Sequence, residues 1–587
     1  QKVMKKILLT SVAILLSAGI MFAQNNNAVT EQNGSENTAI QEQQGDNNDA
    51  QIKQGHLSED LWEQDEAYAD QYQEGSSNEA TIKQRGGGGD GWDNGNWSVQ
   101  RQYGDMNEAT VHIWNANNTS WQYQEGELND AKINISQSMN TVWQEQYGTE
   151  NDAYSATGSG SGNFAWTYQD GYKNLGYVKS TGNNNSAVLA QFGDENKAAS
   201  KPWWNDVIGP FPGHGGDGYA DFGILQMGDN NLAHTYQEGY NNLSVSVQQG
   251  DNNTEFTTQI GDNNWAPIYQ FGVGNSSSHL QSGDENFALS YQNGDGNIAN
   301  VTQIGNANFA SQMQGGIKEH GLVQDGNYNT ATIEQTGDMN SAIQVQGSMA
   351  MQYGNYNNAS VKQTGNSNVA GAMQGDMFQV GNMNDVDIDQ AGDMNQAMVT
   401  QHGNLNSASI NQASTTYPSD NRMHSQIQIG DENDARAASY SDGNFGYQEQ
   451  VGNNNLSILN QAGKDHRAYT YQYGNNNKTA VHQHSAYGDM LNLTEVVVVG
   501  DENDNHIVQD GSDNYTYLEV VGDGNVALSD PSSIWSDGIR QIGDQNISEA
   551  YQWGNMNSLT IDQLGDMNNA SIMQNGDGNS SQIIQQQ

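Results

Sequence analysis

From Gln401 to Gln412 the chain reads QHGNLNSASINQ. Asn406, Ala408, Ile410 and Gln412 recur at every second position. A two-residue period of this kind predicts a short β-strand with one buried face. The Gly-Asp-x-Asn type of stretch that precedes such runs predicts a turn, because Gly and Asn tolerate positive φ and Asp caps local amides. The same unit recurs with a spacing of eleven residues at Gln226, Gln237, Gln248, Gln259, Gln270, Gln281, Gln292, Gln303 and Gln314. A glycine follows each glutamine by two residues: Gly228, Gly239, Gly250, Gly261, Gly272, Gly283, Gly294, Gly305 and Gly316. An asparagine follows the first eight by five: Asn231, Asn242, Asn253, Asn264, Asn275, Asn286, Asn297 and Asn308.

Each unit is one strand and one tight arc, too short to bury its inner face alone, so the units must stack. Two eleven-residue arms make a coil of 22 residues. The expected fold is an all-β solenoid with two strand-arc arms per coil and a core of Asn and Gln ladders. Buried amides are costly unless paired. Identical coils about 4.7–4.8 Å apart let each amide bond to its copy above and below. A slip of one residue would turn the whole set outward, so the phase must be strict. About 20–25 coils follow from the length, and a rod on the order of 100 Å.

The unit resembles the curlin repeat of curli amyloid fibres, Ser-x5-Gln-x-Gly-x-x-Asn-x-Ala-x3-Gln. Gln563-Gly565-Asn568-Ala570-Gln574 carries the pattern, and related units extend from about Asn26 to the C-terminus. The leading Ser is mostly absent, and the chain is several times longer than a typical curlin subunit. The resemblance implies a homopolymer stacked end to end, a role in biofilm matrix and adhesion, and a Gram-negative cell surface. It also implies partners for export and assembly: a curli-type outer-membrane secretion pore and a nucleator.

Composition changes the picture in two ways. The 587 residues carry a formal net charge of −49 and only 34% are hydrophobic, with a mean hydropathy of −0.80. This alone would suggest disorder, but a ladder core needs little aliphatic volume. So few positive residues disfavour nucleic acid as a partner. Residues 1–23 are expected to be an export signal, with Gln1, Lys2 and Val3 standing before the start methionine, and 24–587 the repeat region. No membrane span is expected beyond it. There is no cysteine, hence no disulfide framework.

The repeats are expected to be interrupted by loops near 55–72, 85–99, 199–223, 413–425 and 529–539. The insertion at 199–223 holds three of the six prolines, which cannot join a central ladder. Loop tryptophans Trp92, Trp97, Trp203 and Trp204 are candidate adhesive residues for surface glycans, since function gathers on loops held by a rigid scaffold. Their other reading is a small hydrophobic cluster tying loop to rod. Tyr236, Tyr269, Tyr291, Phe271, Tyr353 and Trp553 flank their glutamines and are expected to face outward.

Asp229 is expected to stack over Asp251, and Asp262 over Asp284. Stacked carboxylates repel, which raises their pKa or invites a cation such as Ca²⁺. Screening favours a solvated acidic rim instead. The acids recur in nearly every turn, unlike a single irregular active site, and the His482/His484 pair lacks a third ligand. No catalytic residue, metal site or cofactor is expected. The function expected is that of an exported fibre subunit. A monomeric solenoid adhesin or glycan-binding surface protein is the alternative, and an ice-binding solenoid lacks the outward Thr-x-Thr rows it would need. The chain is read as ending inside a repeat without a cap, which leaves a strand edge as a template for another copy.

Overall fold

The computed structural model describes residues 25–34, 36–55, 66–85, 95–198, 223–314, 327–346, 355–374, 381–412, 422–485, 491–527 and 538–586. Residues 1–23 and Trp92, Trp203, Trp204, Gly316 and Tyr353 lie outside them.

The described elements are 46 β-strands. Each strand pairs, in parallel, with the corresponding strand one coil on. In one arm β17 (Leu232–Tyr240), β19 (Thr254–Ile260) and β21 (Ser276–Ser282) lie side by side with Gln237, Gln259 and Gln281 in register. In the other arm β18 (Leu243–Gln249), β20 (Trp265–Phe271) and β22 (Phe287–Asn293) align Gln248, Gln270 and Gln292. The result is a solenoid of two long parallel sheets, not a barrel. Two rungs are split between two strands, so the 46 strands make 22 coils. At the ladder spacing this is a rod of about 100 Å.

The split rungs show how an insertion leaves a ladder intact. The chain departs after Ala198 and returns at Gly223, whose N–H donates to the Tyr177 carbonyl at 3.0 Å. Tyr177 fills the outward slot of the neighbouring rung. The inward residues on either side, Ala198 and Ile224, both stay fully buried. The same happens between Ala527 and Ile539, opposite His506. An excursion that replaces one outward residue costs the core nothing.

The other interruptions are narrower than their sequence suggests. β4 (Tyr68–Ser76), β6 (Trp97–Asp105) and β32 (Met423–Ile429) begin, and β5 (Glu79–Arg85) ends, inside the expected loops. In each case alternation resumes before a recognisable glutamine, as with Ala69 and Gln71 ahead of Gln73, all buried. Four coils are also lengthened by four or more residues where no break is expected, including the step from Ile298 to its partner Thr330 and from Thr330 to Asn358. The others are the steps from Asn358 to Asp385 and from Arg467 to Leu493.

Three side chains per strand point inward, such as Ala50, Ile52 and Gln54, all fully buried. The aliphatic ones form two clusters, one from Ile52 to Ala233 and one from Ala288 to Ile572.

Candidate functional site

The glutamine ladders are the chemical core. Gln226 Nε2 donates to Gln248 Oε1 at 3.0 Å, Gln248 to Gln270 at 2.9 Å, and Gln270 to Gln292 at 2.9 Å. In the other arm Gln237, Gln259, Gln281 and Gln303 are linked at 2.8–2.9 Å. The second amide proton is used as well: Gln248 donates to the Leu232 carbonyl and Gln270 to the Thr254 carbonyl of the facing arm, both at 2.9 Å. Each glutamine therefore ties coil to coil and arm to arm. A second column, Gln71, Gln100, Gln122 and Gln144, runs beside the first at 2.7–2.9 Å. It escapes a search keyed to one glutamine per unit, yet its two-residue offset from Gln73, Gln102, Gln124 and Gln146 is visible in the sequence.

The asparagines work differently from a simple side-chain ladder. Asn231 Oδ1 accepts the backbone N–H of Asn253 at 3.0 Å, and Asn231 Nδ2 donates to the Gly250 carbonyl at 2.7 Å. Asn253 Nδ2 adds a side-chain contact to Asn231 at 3.2 Å. The same set recurs from Asn242 through Asn264 and Asn286 to Asn308. These residues, with Asn275 and Asn297, clamp each turn onto the next.

The acidic rows have a structural duty. Asp251 Oδ1 accepts the Asp229 N–H at 2.8 Å, and Asp284 Oδ1 accepts the Asp262 N–H at 2.9 Å. Asn306 does the same for Asp284 at 2.8 Å. Asp and Asn interchange here because the contact needs only a short side-chain oxygen, not a charge. Among the described residues no group of three or more His, Asp or Glu is placed to hold a metal ion.

The glutamine ladders have a direction, because each Gln-to-Gln bond is donated toward the C-terminal coil. At three rungs that follow one without an amide the first glutamine's oxygen is left buried without a partner, whereas Gln226 and Gln312 accept a serine hydroxyl there. Gln552 follows Val520, Gln426 follows Val399, and Gln461 follows Ser439, and each Oε1 is unpaired. Val498 and Val520 separate Gln472 from Gln552. Val520→Gln alone moves the orphan oxygen one rung up, whereas Val498→Gln with Val520→Gln rejoins the ladder. A double-mutant cycle by urea unfolding is expected to give a favourable coupling of about 1–3 kcal/mol. Additive single effects would contradict a directional ladder.

Between the two aliphatic clusters lies a polar break. Glu255 is fully buried, bonded to the Thr257 hydroxyl and to the His234 N–H at 3.2 Å. One coil on, His279 Nε2 contacts the Ser290 hydroxyl at 2.6 Å, while its Nδ1 has no partner. Burial pushes the Glu255 carboxyl up to about 7 and pulls the His279 imidazole down to about 3. The Glu255 contribution is full below about 4.5 and is lost as pH rises through 7. The difference amounts to about 3 kcal/mol. The His279 contribution is full above about 6.5 and is lost as pH falls toward 3, so the two oppose each other between 4.5 and 6.5. Glu255→Gln is expected to stabilise these coils at pH 8 and to bring no gain at pH 4.5, read from urea midpoints. A gain independent of pH would refute the neutral acid.

The outward positions are not uniform. Tyr236 sits outward as expected, but Tyr269 and Tyr291 are buried, packed with Val245 on the outer face of β20 and its neighbours. Phe271, Leu289 and Met313 pack against that cluster, so this face is covered rather than wet. Trp97, expected in a loop, is the first residue of β6 (Trp97–Asp105), where alternation with Ser98 and Gln100 turns its ring to the surface. It stacks between Tyr68 at 6.1 Å and Trp121 at 6.2 Å.

The family model of the curlin associated repeat matches residues 160–193, 280–305, 379–413 and 554–586. The chain carries curlin repeats. Each matched stretch spans the ladder glutamines of the curlin pattern, Gln169 and Gln191 in the first, Gln563, Gln574 and Gln585 in the last. The unmatched coils between them keep the same register. No curated protein is similar enough to this curlin-repeat chain to count as a match.

Proposed function

We propose that this curlin-repeat chain is a structural, non-catalytic subunit that adds end to end into an extracellular curli-like amyloid fibre. The observation that carries the reading is the in-register parallel stacking of like coils through glutamine ladders that all run one way. In β1 (Asn27–Gln32) the ladder-facing Ala28, Thr30 and Gln32 are exposed, and β46 (Ser580–Gln586) has exposed and half-buried residues throughout. Interior rungs bury the same positions completely. An exposed parallel edge with unpaired N–H and C=O groups is a template for another strand. The directional ladder adds polarity: Gln32 donates forward to Gln54, and Gln585 accepts from Gln563, so forward donors at one end meet acceptors at the other.

Biofilm matrix and adhesion are the roles this reading implies, with a curli-type pore and a nucleator as partners on a Gram-negative surface and no cofactor required. The monomeric adhesin remains a second reading because of the aromatic face on the early coils. Negative-stain microscopy of the chain from Gln24, with and without calcium, separates them. Unbranched filaments support the fibre, and a calcium dependence would give the Asp229 and Asp262 rows a metal-binding role. Isolated rods of about 100 Å that never lengthen would refute end-to-end growth.

A further inference from the structure

The outer face of one sheet carries two aromatic tracks over the early coils. One runs through Tyr68, Trp97 and Trp121, with rings stacked at 6.1–6.2 Å and planes within 16°, and continues with the Trp143–Phe164 pair at 5.8 Å. The other runs from Tyr72 through Tyr103, Tyr123, Tyr147, Tyr168 and Phe192 to Tyr236, one ring per coil at 5.1–5.5 Å. Its rings stand alternately one residue before and one after the ladder glutamine, and acids fill many of the vacated slots. Tyr72, Tyr123 and Tyr236 donate their hydroxyls to Glu74, Glu125 and Glu238 at 2.8–2.9 Å.

Between the tracks lies a groove of about 450 Å³, with Trp97, Trp121 and Trp143 along one side, Tyr123 and Tyr147 along the other, and Thr119 and Glu145 supplying polar atoms. Trp97 and Trp143 are 37% and 40% exposed and line the groove, so both indoles are within reach of a ligand lying in it. We propose that this groove binds an extended, uncharged glycan chain lying along the rod.

Three features select that occupant. Aromatic faces take the apolar C–H faces of sugar rings, and a track with one ring per coil suits a ligand that itself repeats. Glu145 and Thr119 offer acceptors for sugar hydroxyls. No cation among the described residues pairs with Glu145, and Arg101 is engaged by Asp70. The carboxylates beside the tyrosine track, in a chain of net charge −49, repel an anionic polymer and a second copy presenting the same face. A small ammonium ligand would call for a closed aromatic cage, whereas these tracks are open and continuous.

The test is affinity electrophoresis of the full soluble chain in gels containing hydroxyethyl cellulose, a neutral glucan, or chitosan, a cationic one, at low and high salt. Retardation by the neutral glucan that survives high salt is expected. Trp121→Ala with Trp143→Ala should weaken it about tenfold or more, Trp121→Phe with Trp143→Phe should restore most of it, and Tyr517→Ala on the other sheet should leave it unchanged. Circular dichroism checks that each variant keeps its strands. No retardation of the parent chain by neutral glucan, equal retardation of the alanine pair, or retardation by chitosan alone that salt abolishes would each overturn the proposal. Filament formation is scored separately, so loss of glycan binding leaves the fibre reading standing.

Discussion

Gly261→Ala is expected to disrupt the coils on either side of it, at a cost of about 4–5 kcal/mol or more. Gly261 has φ +113°, a conformation side chains avoid, and an added Cβ would lie 2.2 Å from the Gly283 carbonyl oxygen. That atom belongs to backbone, so no rotamer change relieves the contact. Relief requires the coils to part, which strains the Gly261 N–H bond to the Glu238 carbonyl at 3.0 Å and the Gly283 N–H bond to the Ile260 carbonyl at 2.9 Å. Gly274→Ala is the control. Its φ is +70° and nothing lies within 4 Å of an added Cβ, so only conformational strain of about 1 kcal/mol is expected. Hydrogen exchange of the flanking strands reads the difference directly. Equal protection in the two variants would show that coil spacing does not depend on this close approach.

The contrast between those two glycines marks what the sequence could disclose. Gly261 recurs in strict phase with Gln259 and Asn264, so the repeat exposes it. A phase this strict follows from stacking, since any slip removes a bond in every coil. The inward set was legible for the same reason. Gln237, Gln248 and Asn231 have partners that are copies of themselves, and a one-dimensional pattern describes such contacts fully. Outward residues lack that constraint. Nothing in the spacing of Tyr269 and Tyr291 separates them from Tyr236, because what covers an outer face is not set by the repeat. Trp97 was hidden by the glycine-rich stretch before it, and Tyr68 by the acidic one. The Asp229 and Asp262 rows look like a charge pattern until the backbone shows each oxygen accepting an N–H.

Gln270→Leu tests the ladder where it is continuous on both sides. The substitution leaves Gln292 Oε1 without its donor and removes the donor to the Thr254 carbonyl. Gln248 Nε2 loses its ladder acceptor but keeps the Leu232 carbonyl. Orphaned buried groups cost about 1–3 kcal/mol each, against which the leucine gains some apolar burial. A net loss of about 2–4 kcal/mol is expected. The chain already contains the milder version of this change. Val498 and Val520 occupy the same slot, and their interruption leaves only Gln552 Oε1 without a partner in the amide column. Gln574→Leu, one rung further along, provides the internal comparison, since Gln574 receives from Gln552 and its described donation goes to the Ser558 carbonyl rather than to another amide. It should cost less than Gln270→Leu, as measured by urea unfolding of the soluble chain. Equal costs at the two positions would mean that each glutamine acts through its own coil alone, and the idea of a ladder that transmits stability along the rod would have to be abandoned.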